Sequence, residues 1–268
     1  MSNQPQVVTT AGRGLRGIHD AFSWLTVLPL PQPRGEFDRR RAATIMAAVP
    51  TVGIVLGAVV AVIGWGLSYT QLPSALIGTI LVAVLGLGTR GMHLDGLADT
   101  VDGLGSYGDH ERVRQIMRSG DVGPFGAATL VLVLLGEALA FGALIADHRF
   151  YAIALVVFLS RAVVPLVCRR GVKAAHGDGF GAMVAGSQRF SIAVWSLISL
   201  AAAIAVGISN PGDGPSAVLL PVVAVLVAGV FAWAFSRHCI QRNGGLAGDI
   251  IGATMELTTV LTAVVLLL

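Results

Sequence analysis

Seven apolar runs dominate the sequence, at 42–68, 72–90, 124–146, 150–168, 190–209, 216–236 and 250–268. Each is close to the ~20 residues a helix needs to cross a hydrocarbon core. Lipid tails offer no partners to backbone N–H and C=O groups, so runs of this length must bond internally as helices. The expected fold is all-α: a polytopic membrane helical bundle with about seven transmembrane helices, its polar chemistry confined to loops and helix ends. A composition of 54% hydrophobic and 12% charged residues argues against a soluble domain.

The chain divides into an N-terminal interfacial segment, 1–41, and a transmembrane catalytic domain, 42–268. Within the former, FSWLTVLPL (22–30) is too short to span and is closed by Pro29, Pro31 and Pro33. Residues 12–30 therefore read as an amphipathic or re-entrant segment at the membrane surface. Lys and Arg choose the orientation. Sixteen fall in the N-terminal segment and the loops near 90–118, 169–189 and 237–242, against Arg149 alone in the alternate loops. This asymmetry predicts a cytoplasmic N-terminus and an external C-terminus. The net charge of +3 then reflects topology and contact with membrane lipid. No basic run is interleaved with aromatics, so no nucleic-acid partner is expected. Cys168 and Cys239 are far apart and both at cytoplasmic helix ends, as packing residues rather than a disulfide. Pro211-Gly212-Asp213-Gly214-Pro215 is a turn between spans.

One loop breaks the avoidance of charge. HLDGLADTVDG (93–103) holds Asp95, Asp99 and Asp102. As a helix it places them at i, i+4 and i+7 on one stripe, opposite Leu94, Leu97, Val101 and Leu104. An all-aspartate face without a neighbouring cation suits a hard divalent metal, Mg²⁺ or Mn²⁺, completed by water and phosphate. Gly96 and Gly103 would leave room for a bulky ligand. His93 is a possible base or an interfacial hydrogen-bonder. Arg114 and Arg118, an i, i+4 pair, suit phosphate oxygens or serve as topology charges.

Two further groups belong to the same side. Arg161 lies inside the fourth span and must face protein or a water-filled cavity. QRNGGLAGDIIGATMEL carries Gly244 and Gly245, a flexible entry tolerant of phosphate, then Asp249 and Glu256 seven residues apart on one helical face. A partnership of Glu256 with Arg161 or with the metal would offset its burial. Glu137, deep in the third span, suggests only a helix–helix hydrogen bond. Together these residues describe a metal-dependent, phosphate-handling membrane enzyme. A transporter, the rival class, would place such acids near the midplane.

FSWLTVLPLP, HLDGLADTVDGL, RVRQIMRSGDVGPFG, SRAVVPL and NGGLAGDIIGATMEL, in this order, resemble the membrane-bound cobalamin synthase family (adenosylcobinamide-GDP ribazoletransferase) along nearly the whole chain. Arg118-Ser119-Gly120-Asp121 departs from the Lys-Asp-Ser-Arg or His that many members carry. The resemblance implies transfer of the adenosylcobinamide phosphate moiety of adenosylcobinamide-GDP to α-ribazole or its 5′-phosphate, with GMP leaving. It implies Mg²⁺ or Mn²⁺ on Asp95, Asp99 and Asp102. It implies phosphate contacts from Arg90, Arg114, Arg118 and Arg161, with Gly244, Gly245 and Glu256 at the substrate. The base is His93, one of the aspartates, or Asp249. It further implies a bacterial inner-membrane location with a cytoplasmic site, and leaves open a homo-oligomer or association with other corrinoid-assembly enzymes. Within enzymes the alternatives are a CDP-alcohol phosphotransferase and an aspartate-rich membrane prenyltransferase. The first would need Arg where Asp99-Thr100 follows Ala98; the second would need another aspartate-rich motif.

Overall fold

A computed structural model describes residues 10–32, 35–209 and 216–268; Pro33, Arg34 and the 211–215 turn lie outside the described residues. Among these residues the regular structure is helical: α1 (Thr10–Leu25), α2 (Arg39–Leu67), α3 (Ser74–Gly88), α4 (Met92–Gly105), α5 (His110–Met117), α6 (Pro124–Ala146), α7 (Phe150–Ala162), α8 (Val164–Val167), α9 (Gly179–Val184), α10 (Phe190–Ile208), α11 (Ser216–Asn243) and α12 (Gly248–Val265). Among the described residues six helices are long and apolar enough to cross a membrane: α2, α6, α7 continued through α8, α10, α11 and α12.

The second predicted run behaves differently. At 1.5 Å per residue, the 15 residues of α3 make about 22 Å, short of the ~30 Å hydrocarbon core. It reaches spanning length only together with α4, from which it is bent by 92°. The bend is built by consecutive left-handed residues, Arg90 (φ 59) and Gly91 (φ 65), after Thr89 Oγ1 donates to the Leu85 carbonyl. Glycine adopts that conformation freely; an arginine there is strained, which makes the turn a place to look for function. The bend turns α4 away from the axis of α3, and α4 is not one of the six spanning helices.

Small residues let the spans close on one another, as expected where hydrophobicity alone cannot drive association. A Cβ at Gly57 would stand 2.6 Å from the Ala154 carbonyl of α7, and one at Gly142 would stand 2.9 Å from the Ser74 carbonyl of α3. Helices α10 and α11 sit at the periphery, with only 17% and 22% of their apolar windows covered by protein. Helix α1 packs on α2 and is pinned by Arg41 Nε, which donates to Asp20 Oδ2 at 2.6 Å. The segment after α1 is tied to the end of α3 by Val27 N donating to the Gly88 carbonyl. Cys168 and Cys239 are both buried and unlinked.

Candidate functional site

The site end of the bundle is organised by the crossing of α4 and α12. A Cβ at Gly96 of α4 would stand 2.9 Å from both Cα and O of Asp249, and one at Gly252 of α12 would stand 3.1 Å from Cα of His93. Each glycine therefore admits the backbone of the other helix. Gly103 likewise faces Met117 and Val113 of α5. The expectation that Gly96 and Gly103 make room for a ligand gives way to helix packing: removing the side chain brings two backbones together, and that contact sets Asp249 over the aspartate face of α4.

The three α4 aspartates have different surroundings. Asp95 is exposed, while Asp99 and Asp102 are buried. Both Asp102 oxygens are taken: Oδ2 accepts from Gly123 N at 2.7 Å and Oδ1 from Gly126 N at 2.9 Å. This carboxylate caps α6, whose N-cap Gly123 has no side chain to do so. Asp102 thus has a structural role, because two orphan N–H groups reach it from a helix whose N-cap lies 21 residues further along the chain. Asp249 stands with Asp95 and Asp99 in electrostatic reach of one another. Burial first, then Asp95, Asp249 and Asp102, push the Asp99 carboxyl up to about 6. Among the described residues no Lys or Arg forms an ion pair with Asp95, Asp99 or Asp249.

These groups fit a divalent cation in a particular sense. No three His, Cys, Asp or Glu side chains among the described residues close into a ready-made metal site. The donors are nevertheless hard oxygens that repel one another without a compensating side chain. Mg²⁺ is commonly held by one or two carboxylates with substrate phosphate and water completing its shell. Asp95, Asp99 and Asp249 are the carboxylates that would supply such ligands.

Two chambers meet at this point. The larger, about 430 Å³, lies between α1, α2, α4 and α12, with Trp24, Met46, Val49 and Met255 on its apolar walls and Arg90, His93, Asp95 and Asp249 as its polar groups. The smaller, about 320 Å³, is lined by Arg114, Arg118, His176, Asp178 and Asn243. Phe180, Gly248 and Asp249 belong to both. Phe180 is held in place by Trp24, ring centroids 5.2 Å apart, and Trp24 also packs on Phe37 at 4.8 Å. The first turn of α12 opens on this junction without a side-chain cap, leaving its N–H groups and positive dipole end directed there.

Arg114 is partly committed: Nη1 donates to the Ala175 carbonyl, Nε to the His110 carbonyl, and Nη2 lies 3.5 Å from Glu111 Oε2. Arg118 is exposed on the same chamber. The expected phosphate ligands are therefore split, Arg90 on one chamber and Arg114 with Arg118 on the other.

Four expected substrate-binding residues line neither chamber. Arg161 and Glu256 sit behind the site, around a cavity of about 10 Å³ that Glu137 also lines. Arg161 is 2% exposed and donates to Ser160 Oγ at 2.6 Å. Glu256 Oε1 is 3.8 Å from His93 Nδ1, too far for a hydrogen bond. Glu256 and Glu137 face each other across this cavity, with Arg161 in electrostatic reach of both. This accounts for Glu137, whose partner comes from a span 119 residues away. Burial, followed by Arg161, holds the His93 imidazole down to about 3, so it is neutral. Gly244 (φ 72) and Gly245 (φ 157) also shape the scaffold. A Cβ at Gly245 would collide with the Ala174–Ala175 backbone, which pairs with Leu246 through Leu246 N to Lys173 O and Ala175 N to Leu246 O.

The sequence reading missed Trp24, Met46, His176, Asp178 and Phe180. Trp24 stood in the surface segment 12–30; Phe180, on a six-residue helix, carries no local signal at all.

Fold and site together define a polytopic helical membrane protein with a bipartite cleft at one bundle end, acidic at its junction and arginine-bearing in both parts. The chain belongs to the cobalamin-5-phosphate synthase family, which it matches over residues 17–267. Its relatives include the adenosylcobinamide-GDP ribazoletransferase of Frankia casuarinae, 37% identical over 92% of each chain. The proteins of that name from Corynebacterium efficiens and Klebsiella pneumoniae are 36% and 30% identical, over 92% and 94% of this chain and 90% and 100% of their own. No solved structure matches the chain.

Proposed function

We propose that this protein is an adenosylcobinamide-GDP ribazoletransferase, as its relatives are named, and that it acts in the final stage of cobalamin synthesis. Its substrates are adenosylcobinamide-GDP and α-ribazole or its 5′-phosphate; its site faces the cytoplasm from the bacterial inner membrane; and it works with Mg²⁺, or Mn²⁺. The observation that carries the reading is the junction: a chamber with a largely apolar inner wall and a chamber bearing Arg114 and Arg118 share one wall, and Asp249 stands on it.

In the reaction a ribose hydroxyl of the acceptor forms a new O–P bond to the cobinamide phosphate. The bond from that phosphorus to the bridging oxygen breaks, and GMP departs. Arg114 and Arg118 bind and orient the nucleotide phosphates, and the N–H groups of the first α12 turn add donors at the junction. A bound Mg²⁺ would supply charge neutralisation at the bridging and leaving oxygens. The acceptor proton goes to a group at the junction. A junction carboxylate that is not bound to the cation takes it; His93, held down to about 3, lines the acceptor chamber as a neutral imidazole. Glu256, Glu137 and Arg161 join α12, α6 and α7 behind the site. They support His93 without touching substrate.

The purified protein in lipid should release GMP from adenosylcobinamide-GDP only when α-ribazole or its phosphate is present, and a chelator should stop the release. Turnover of a CDP-alcohol or prenyl donor instead, or no release from adenosylcobinamide-GDP, would overturn the assignment.

A further inference from the structure

The structure assigns separate seats to the two substrates, and we infer that the 430 Å³ chamber holds the aromatic base of the acceptor, with Met46, Val49 and Met255 setting the size of base that fits. This rests on the transferase reading above. The chamber's inner surface comes from α1, α2 and α12, and Met46, Val49 and Met255 are each 2% exposed. Burying phosphate charge among such side chains is strongly unfavourable, whereas a flat uncharged ring is favoured there. The polar groups are confined to Arg90, His93, Asp95 and Asp249. A nucleoside seated base-inward therefore presents its ribose to the acidic junction. The other chamber has the opposite chemistry, with Arg114, Arg118, His176 and Asp178 available to a nucleotide. A corrin ring is larger than either chamber and stays outside, reaching the junction by its phosphate-bearing arm.

The floor explains how size would be read. Two methionines are polarizable and adapt to ring edges, while Val49, beside Pro50 in α2, is β-branched and stiff. Phe180 closes the chamber toward the nucleotide side. A buried methyl group in such a pocket is worth roughly 10- to 200-fold in kcat/KM.

The test uses the full chain in lipid and benzimidazole ribosides bearing no, one or two methyl groups. Val49→Phe fills the floor from α2. It should lower kcat/KM for the dimethylated acceptor by about 10-fold or more relative to the unmethylated one, while KM for adenosylcobinamide-GDP stays within about 2-fold. Phe180→Ala, at the partly exposed partition, supplies a second variant should Val49→Phe not fold. It should raise acceptor KM more than donor KM. Equilibrium binding of each riboside without donor is measured in parallel. Riboside binding ranked by methylation and altered by Val49→Phe, without GMP release, would keep the seat and overturn the transferase reading. GMP release with a methyl ranking that Val49→Phe leaves unchanged, or with donor KM moved instead, would overturn the seat.

Discussion

Gly96→Ala should separate activity from insertion more cleanly than any charge substitution. The new Cβ would stand 2.9 Å from Cα and O of Asp249, where carbon contacts relax to about 3.5–4.0 Å. Neither atom is the end of a flexible side chain; both are backbone of α12, so the helix must move back by roughly 0.5–1 Å. Overpacking of this kind destabilises by about 1–3 kcal/mol. The consequence for chemistry is larger, because the displaced backbone carries Asp249, and a misplacement near 1 Å can lower a rate by about 10²-fold. Gly252→Ala meets His93 Cα at 3.1 Å and should act in the same direction, more weakly. Gly86→Ala meets only Leu94 Cδ1 at 3.7 Å and should leave both properties unchanged. The assay is GMP release in lipid beside thermal unfolding of the same preparations. A Gly96→Ala enzyme with wild-type kcat and an unshifted melting temperature would show that the α4–α12 contact does not set the site.

Asp102→Asn removes one charge-assisted acceptor from the α6 cap and turns an amide toward an N–H. Stability should fall by about 1–3 kcal/mol in thermal or denaturant unfolding, whereas Asp99→Asn should lose turnover and, without metal, raise stability at neutral pH. Asp99 titrates from 3.8 in the unfolded chain to about 6 in the fold, so it binds its proton more tightly when folded. Without metal, the contribution of Asp99 to stability is full below about 4 and is lost as pH rises through about 6. Mg²⁺ should raise the melting temperature at pH 7.5 and not at pH 4.5; an equal Mg²⁺ effect at both would remove the cation from the acidic junction. Arg161→Leu leaves Glu137 and Glu256 buried without their cation and should destabilise by about 3–5 kcal/mol. Replacing all three by Leu should restore detergent-stable folding, with KM for the donor close to wild type. A donor KM raised tenfold in the folded triple variant would return Arg161 to the phosphate site.

The helical class and most of the spans were legible because a bilayer leaves a chain few options: a 20-residue apolar run has no unstrained state there other than a helix. The aspartate helix was legible too, through its period, and its motifs carried the family resemblance. What the period could not reveal is what each carboxylate meets. Asp95, Asp99 and Asp102 share a stripe, yet Asp102 is claimed by N–H groups of α6 and Asp249 arrives from α12, since caps and crossings join segments far apart in sequence. Glu137, unexplained alone, finds Glu256 for the same reason. Gly96 and Gly245 read equally well as room for ligand or room for backbone until the neighbouring chain is in place. The apolar chamber depended most on tertiary structure. Trp24, Val49, Phe180 and Met255 come from four helices, and no local pattern encodes a cavity, which exists only where packing among distant helices stops short.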